Sequence, residues 1–329
     1  WGTVREDYSP NGAAWDYFPH DHARSRAYRW GEDGLGGWSD DQQHLCLAVA
    51  LWNGQDPLLK ERLFGLTNSQ GNHGEDVKEL YYFLDATPTH SYLKMLYKYP
   101  QRAFPYSELE EENRRRGVEG LEYELLDTGL FDEDRYFDVS IEYAKVGPDD
   151  VILEIAVDNR GPEAADLHVL PHLWFRNTWS WGDEVERPTL KAHSTNRIEA
   201  THPHLGRYQL AFEGQPELLF TENDSNSGLL WGNADGARFS KDAFHRRVVG
   251  GETGAVNPAG VGTKACGWYR LSIPAGGRRT VRVRLAPDLP EAPFLDASQM
   301  ITDRLAEADE FYAAVQAGMD DPDGRLVQR

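Results

Sequence analysis

The stretch RYFDVSIEYAKVGPDDVILEIAVDNRGPEAADLHVLPHLWFRN, residues 135–177, decides the fold. In its first segment apolar and polar residues alternate, and the apolar positions are Phe137, Val139, Ile141 and Tyr143. Turn residues at 147–150 and 161–162 divide the stretch into three segments. Alternation with a period of two is typical of a half-buried strand. We therefore predict three consecutive strands that pair as an antiparallel meander.

Similar segments occur on both sides of this stretch. They span residues 44–52, 60–66, 77–86, 90–100, 208–214, 217–223, 264–274 and 280–286. Most are rich in aromatic or β-branched residues, which favour pleated surfaces, and glycine, proline or asparagine punctuates the turns between them. Many short strands separated by turns indicate a sandwich or a barrel. We predict a mainly β fold, a large antiparallel β-sandwich followed by a C-terminal linker helix.

Two segments depart from the β pattern. FPYSELEEENRRR, residues 104–116, predicts a helix that Ser107 caps and Gly117 ends. Residues 296–319 predict an amphipathic helix after a proline-rich linker, with Asp296 or Ser298 as its cap and Gly318 at its end. We predict a β domain over residues 1–289 and a linker with a helix over 290–329. The chain opens without Met and stops after this helix, so we expect a piece of a longer polypeptide.

The charge balance restricts the partners. The chain has 34 Lys and Arg against 54 Asp and Glu, a net charge of −20. Phosphate backbones and anionic membranes repel such a chain, so we expect neither nucleic acid nor membrane as a partner. No apolar run is long enough to cross a bilayer, and no signal peptide is evident. Cys46 and Cys266 predict buried thiols in a reducing cytoplasm.

Three polar and aromatic segments are candidate sites. Trp30, Glu32 and Asp33 lie in a glycine-bounded loop with the composition of a sugar subsite, although a salt-bridged loop would have it too. His20 and His22 would share one face of a strand, but no third ligand is evident by spacing, so we expect no metal and no cofactor.

The second candidate is the loop TNSQGNHGEDVKE, residues 67–79, where His73, Glu75 and Asp76 supply polar groups. It is either a plain hairpin tip or a functional loop. The third candidate, WFRNTWSWG at residues 174–182, has three tryptophans: Trp174, Trp179 and Trp181. They form either an exposed stacking platform or an aromatic plug between two sheets.

Long stretches of the chain resemble bacterial proteins similar to glycoside hydrolase family 63, whose eukaryotic members are the mannosyl-oligosaccharide glucosidases. Among the stretches that carry the resemblance are residues 1–34, KERLFGLTNSQGNHGEDVKE (60–79), LLDTGLFDEDRYFDV (125–139), LPHLWFRNTWSWG (170–182) and AVNPAGVGTKA (255–265). The resemblance implies an N-terminal β-supersandwich joined by a helical linker to an (α/α)6 barrel, with inverting hydrolysis of an α-glucosidic bond.

In that family the barrel carries the general acid and base, so we expect the catalytic residues outside this chain and expect the chain alone to be inactive. The expected partners are an oligosaccharide or small glucoside and the chain's own C-terminal catalytic domain. We expect the rim of the sugar pocket to include Trp30, Glu32, Asp33, His73, Glu75 and Asp76. The alternatives are a carbohydrate-binding module without catalysis, with its tryptophans exposed, and the N-terminal domain of a disaccharide phosphorylase.

Overall fold

The computed structural model describes residues 20–28, 34–66, 76–181, 186–233 and 236–329. Within these residues two antiparallel sheets pack face to face around one main core. The predicted β-sandwich is confirmed.

The first sheet has five strands. In spatial order they are β1 (Leu35–Ser39), β2 (Leu45–Trp52), β9 (Ala165–Phe175), β15 (Lys264–Ile273) and β13 (Glu217–Thr221). The second sheet has nine strands. In spatial order they are β14 (Val261–Gly262), β10 (Thr189–Ser194), β11 (Arg197–His202), β12 (Gly206–Phe212), β16 (Arg278–Ala286), β8 (Asp150–Asn159), β7 (Tyr136–Gly147), β6 (Tyr92–Pro100) and β5 (Tyr81–Ala86). A separate hairpin pairs β3 (Gly65–Leu66) with β4 (Asp76–Val77).

The inward parity predicted for residues 135–146 is confirmed. Val139 and Ile141 of β7 are buried in the main core, where they join Leu173 and Phe175 of the facing sheet. The opposite parity carries charge, since Asp138 accepts a hydrogen bond from Lys98 at 2.6 Å. Removing this apolar surface from water is the main favourable contribution to folding.

The predicted three-strand meander is wrong at its third strand. β7 pairs with β8, but β9 crosses to the other sheet and pairs with β2 and β15. β16 takes the expected place beside β8. The turn at Gly161 therefore leads into a crossover between the two sheets.

The five-stranded sheet is covered on both faces. Its outer face packs against residues 53–64 and the short helix α4 (Ala243–Val248), through Leu59 and Phe244. Coverage on both faces explains why β2 reads LCLAVALW without alternation. Cys46 and Cys266 lie on this face as buried free thiols.

Three N-terminal expectations need correction. Residues 20–25 form a helix, α1 (His20–Ser25), so His20 and His22 do not share a strand face. A strand was expected over residues 60–66, but only an isolated β-bridge at Lys60 and the two residues of β3 are extended and paired there. The strand expected over 77–86 is two strands, β4 and β5.

Helix α2 (Tyr106–Arg116) confirms the predicted helix, but its N-cap is Pro105 and not Ser107. Acidic residues open it and three arginines close it, which suits the helix dipole. Two short helices follow, α3 (Ser227–Trp231) and the α4 already described.

The C-terminal helix is confirmed as α5 (Ala297–Val315), followed by α6 (Pro322–Gln328). Asp296 occupies the N-cap without a side-chain capping bond and instead pairs with Arg284 at 3.2 Å. The helix ends with Gln316 as its C-cap, before Gly318. Ala297 and Ile301 pack on Tyr92 and Ile152, on the outer face of the nine-stranded sheet. No helix within the described residues is long and apolar enough to cross a membrane.

Candidate functional site

The residues expected to form the sugar rim fall mostly outside the described part of the chain. Trp30, Glu32, Asp33, His73 and Glu75 all lie there. The backbone of Asp76 is described as the first residue of β4. The structure defines the residues that flank the two predicted loops, 29–33 and 67–75.

The first loop rejoins the described chain at Gly34, on the outer face of the five-stranded sheet. A β-carbon at Gly34 would lie 2.5 Å from Cβ of Ala48 and 3.7 Å from Nε2 of His172. It would also lie 3.5 Å from the carbonyl oxygen of Glu61. Only glycine fits this approach without displacing a neighbour. The end of the first loop is therefore held against Glu61 and His172.

The second predicted loop, residues 67–75, follows the segment that carries Glu61. It begins after Leu66, five residues beyond Glu61 in the sequence. Five residues of extended chain span at most about 18 Å, which limits how far the loop can start from Glu61. Gly34, at the end of the first predicted loop, thus contacts a buried polar cluster, and residues 61–66 join the second predicted loop to the same cluster.

That cluster contains Glu61, Lys264, His172 and Trp174. Lys264 on β15 donates a hydrogen bond to Oε1 of Glu61 at 2.8 Å, and the two residues are 4% and 7% exposed. Lys264 pairs in register with Trp174 of β9, and its ammonium lies 5.1 Å from the ring centre of Phe244. A buried ion pair needs this close geometry, because each ion loses its hydration.

The protonation states follow from this environment. Burial alone would raise the pKa of Glu61, but the charges of Lys264 and Arg62 outweigh it and lower that pKa to about 2. Burial, together with the charge of Lys264, lowers the pKa of His172 to about 3. At neutral pH the carboxylate is therefore ionised and the imidazole neutral.

The ring of His172 has a defined tautomer. Its Nδ1 lies 3.2 Å from the carbonyl oxygen of Leu170, which can only accept, so Nδ1 carries the proton. Nε2 is then an acceptor, on the side facing Gly34. The imidazole stacks on Trp174 at 4.9 Å between ring centres. Trp174 is 3% exposed, and its indole N–H has no hydrogen-bond partner within the described chain.

These features suit binding and positioning more than acid catalysis. Glu61 is held ionised by Lys264, so it is not a proton donor at neutral pH. The N–H of His172 is already bonded to a backbone carbonyl. The cluster offers one acceptor at Nε2 of His172 and one donor at Nε1 of Trp174.

A second polar network anchors the segment that carries Glu61. Asp56 accepts hydrogen bonds from Tyr99 at 2.9 Å and from Tyr106 at 3.0 Å. Lys60 pairs with Glu79 at 2.9 Å, and Glu79 also accepts from Tyr97 at 2.5 Å. Burial, followed by the nearby carboxylates, raises the pKa of all three tyrosines well above their usual range. The network fixes residues 53–64 against strand β6.

His20 of α1 packs at the edge of this network. Its ring lies 4.7 Å from Tyr106 and 5.2 Å from Phe64. Burial, with the charges of Lys60 and Arg24, lowers its pKa to about 3. Within the described residues no group of three or more His, Cys, Asp or Glu has metal-binding geometry.

Of the tryptophans in the third segment, Trp174 and Trp179 do not form an exposed platform. Trp174 lies on the outer face of the five-stranded sheet with Cys46 and Ala48, so it is a buried residue but not a plug between the sheets. Trp179 is half-buried and donates to Asp224 at 3.0 Å, with Arg187 5.1 Å from its ring centre. The side chain of Trp181 is not among those that the structure describes.

Glu61, His172 and Lys264 were not among the residues predicted from the sequence to form a site. A usable signal exists for His172 and Lys264, since each is a polar residue inside a strand with two buried faces, in LHVLPHLWF and KACGWYR. Such residues are expected to have buried partners. Glu61 offers no comparable signal, because it lies in an irregular segment.

No protein-family model matches the sequence. The chain is similar to "Uncharacterized protein YMR196W" of Saccharomyces cerevisiae, at 43% identity over 359 aligned positions that include 95% of this chain. The match covers 33% of the yeast protein, so the chain spans about a third of that relative's length.

Several solved structures show a weak likeness. A polysaccharide lyase gives a TM-score of 0.34 at 11% identity, over 74% of this chain and 25% of that one. The 4-alpha-glucanotransferase of Thermococcus litoralis gives 0.30 at 9%, over 82% and 30%. A putative kojibiose phosphorylase from the human microbiome gives 0.29 at 9%, over 95% and 36%. The names of these proteins describe carbohydrate-active enzymes, but likeness at this level carries no argument about the activity of this chain.

Proposed function

We propose that the chain is the non-catalytic N-terminal part of a glycoside hydrolase that acts on α-glucosidic bonds. In this proposal it supports a catalytic (α/α)6 barrel elsewhere in a longer polypeptide and lends loops 29–33 and 67–75 to the sugar pocket. The family 63 resemblance of residues 1–34 and 60–79 supplies the activity and the barrel. We also propose a cytoplasmic location and a division at residue 289, between the β domain and the linker.

The observation that supports the proposal is that the residues flanking both predicted loops are tied to Glu61. Gly34 ends the first loop against Glu61 and His172, and the second loop starts five residues after Glu61. Two loops that carry aromatic and acidic residues and depart from one rigid surface can reach one ligand together. The anchored segment 53–64 supplies that rigidity.

The length of the yeast relative agrees with a further domain. About two-thirds of that protein lies outside the matched region, which is ample for a separate domain. The buried cluster itself supplies no general acid, because Lys264 keeps Glu61 ionised. In the proposal the proton donor and the base both belong to the barrel, as the family resemblance implies.

The test is Glu75→Ala in the full-length protein. Turnover of α-linked glucose disaccharides should fall about 10- to 100-fold, which corresponds to the loss of one hydrogen bond between a sugar hydroxyl and a charged group. Glu111→Ala is the matched control, because Glu111 is an exposed acid on α2, outside the two predicted loops. Equal kinetics in both variants would remove loop 67–75 from the pocket, and absence of any hydrolysis by the parent would reject the proposed activity.

The two alternatives have separate outcomes. The carbohydrate-binding module that we considered required exposed Trp174, Trp179 and Trp181, but Trp174 is buried and Trp179 half-buried. The disaccharide phosphorylase predicts that turnover depends on inorganic phosphate. Proton NMR of the first product, in buffers with and without phosphate, distinguishes hydrolysis with inversion from phosphorolysis.

A further inference from the structure

Three histidines meet at one end of the sandwich, where a turn of each sheet comes together. His44 directly precedes β2 of the five-stranded sheet, whereas His202 ends β11 of the nine-stranded sheet and His204 lies in the turn that follows it. The ring centre of His44 is 4.8 Å from that of His202 and 5.9 Å from that of His204. The ring centres of His202 and His204 are 5.7 Å apart. We call these three residues the histidine cluster.

Hydrogen bonds within its own turn fix the protonation of His202. The ring is buried, and its Nδ1 lies 3.2 Å from the backbone nitrogen of His204 and 3.3 Å from that of Leu205. Backbone N–H groups can only donate, so Nδ1 accepts both hydrogen bonds and carries no proton. The proton of the neutral ring is therefore on Nε2. A further proton at Nδ1 would point at two donors and would break both hydrogen bonds.

The cluster also contacts the end of β9. His202 stacks on Phe175, the last residue of that strand, with 5.4 Å between ring centres and an interplanar angle of 24°. Phe175 belongs to the main core. The next residue, Arg176, donates its backbone N–H to the carbonyl oxygen of His44 at 3.0 Å. His202 and His44, one from each sheet, are therefore both fixed against the same strand end.

The carboxylate of Asp40 lies beside the cluster. Asp40 follows β1, and its Oδ2 is 3.3 Å from Nδ1 of His44. Its oxygens also accept the backbone N–H groups of Leu45 at 2.8 Å and Gln42 at 3.1 Å, so the carboxylate is held in the β1–β2 turn. A proton on His44 therefore gains an opposite charge beside it. A second proton, on His202, is repelled by the first across 4.8 Å.

The surroundings of His202 oppose its protonation. Burial, followed by the charges of His44 and His204, lowers the pKa of His202 to about 4, and the charge of Asp40 offsets only part of this effect. The folded protein therefore stabilises the neutral state of this ring.

Further titratable side chains lie on the segments around the cluster. They are Asp41 in the β1–β2 turn, Arg176 after β9, Glu199 on β11, Arg207 and Tyr208 on β12, and Asp149 before β8. Arg207 forms an ion pair with Glu199, and Asp41 is exposed. Tyr208 donates a hydrogen bond to Asp149 at 3.3 Å. Within the described residues, the charged groups that act on His202 are the other two imidazoles and Asp40.

We propose that the histidine cluster is an acid-sensitive clasp between the two sheets. In the neutral state His202 accepts from its own turn and stacks on Phe175, which holds the β11–β12 turn against the five-stranded sheet. When Nδ1 of His202 takes a proton, the N–H groups of His204 and Leu205 lose their acceptor, and the new cation is repelled by a charged His44. The turn then separates from the sheet, while the main core keeps the two sheets together.

The two turns also line a cleft of about 690 Å³ between the sheets, to which they contribute Asp40, Gln43 and Leu205. Movement of either turn therefore changes the mouth of that cleft. The inference goes beyond the proposed function and does not depend on loops 29–33 and 67–75.

The test is a titration of the 329-residue chain, labelled with ¹⁵N at histidine and leucine, from about pH 7.5 to about pH 3.5. EDTA in the buffer keeps adventitious metal ions off the imidazoles. Two-bond ¹H–¹⁵N spectra report the tautomer and protonation of the His202 ring, and the backbone signals of His204 and Leu205 report their hydrogen bonds. The ring should be the Nε2–H tautomer at neutral pH. Its protonation and the shift of both backbone signals should share one midpoint at about 4.

Three variants separate the clasp from a general effect of acid. His202→Asn removes the titration but keeps an acceptor, because the side-chain carbonyl of asparagine can accept the same two N–H groups; the backbone signals should then stay constant with pH. His44→Gln removes a neighbouring charge and should raise the midpoint of His202 by about 0.5–1 pH unit. His193→Gln is the matched control, because His193 is exposed on β10, and it should leave the midpoint unchanged.

Far-UV circular dichroism over the same pH range shows whether the strands persist while the turn moves. A joint shift in the unmodified chain, its loss in His202→Asn and the raised midpoint in His44→Gln support the proposal. Four results would overturn it: protonation of His202 without a shift of the two backbone signals, the same shift in His202→Asn, an unchanged midpoint in His44→Gln, or loss of the strand signal before His202 takes a proton. Hydrolysis by the longer polypeptide is a separate measurement, so failure here leaves the proposed function untouched.

Discussion

Lys264→Met should destabilise the protein through the charge that it leaves behind. Lys264 and Glu61 are buried 2.8 Å apart, and removing one member of such a pair costs about 3–5 kcal/mol, because the other ion stays buried without compensation. An unfolding entropy of about 2.1 cal/mol/K per residue gives about 0.7 kcal/mol/K for 329 residues. The melting temperature should therefore fall by about 4–7 °C.

The pH dependence of this loss identifies its cause. In the native protein Lys264 and Arg62 hold the pKa of Glu61 at about 2, against the effect of burial. Without Lys264, burial dominates and the folded pKa rises above the unfolded value. A raised carboxyl pKa gives stability that is present below the unfolded pKa and lost as pH rises through the folded pKa. The deficit of the variant should thus be smaller at pH 5 than at pH 7.

Thermal and urea unfolding, followed by circular dichroism at both pH values, provide the measurement. Arg115→Met is the matched control, since Arg115 pairs with Glu112 on the exposed surface of α2 and should show no measurable change. Glu61→Leu combined with Lys264→Met should recover part of the loss, because no lone charge remains. A deficit equal to that of Arg115→Met, or one that does not vary with pH, would refute this reasoning.

Two further predictions concern the same face of the sheet. The pKa of His172 is about 3 in the folded protein and 6.5 in the unfolded chain, so between these values the unfolded chain binds more protons. The free energy of unfolding should therefore fall as pH drops from 6.5 towards 3. Urea titrations should show that this residue accounts for a loss of about 2 kcal/mol at pH 5, and that the loss is absent in His172→Gln. Gly34→Ala places a β-carbon 2.5 Å from Ala48 and should cost about 1–3 kcal/mol in the free energy of unfolding, whereas Gly147→Ala, with no atom within 4 Å, should be nearly neutral.

Strands could be predicted well from the sequence where one face of the strand is buried and the other faces solvent. Residues 135–146 alternate because β7 has Val139 towards the core and Asp138 towards Lys98. The same reasoning misplaced β9, because consecutive strands usually pair and the turn at Gly161 looked like a hairpin. The informative signal was the absence of alternation in LHVLPHLWF, which resembles LCLAVALW of β2, its true neighbour.

The site was less predictable, for a different physical reason. Glu61 and Lys264 are 203 residues apart, and their pairing depends on which strand lies beside β9. Local periodicity contains no information about that choice.

The ion pair between Lys264 and Glu61 fixes the position of both side chains as well as compensating their charges. Well-packed apolar residues would often stabilise such a position as much or more. A hydrogen-bonded pair differs in being directional, because it fixes the carboxylate of Glu61 over one residue of β15. The segment 53–64 is then held in one register against Gly34 and His172. In the proposed function this rigidity serves the predicted loops 29–33 and 67–75, because small displacements of binding groups weaken ligand contacts.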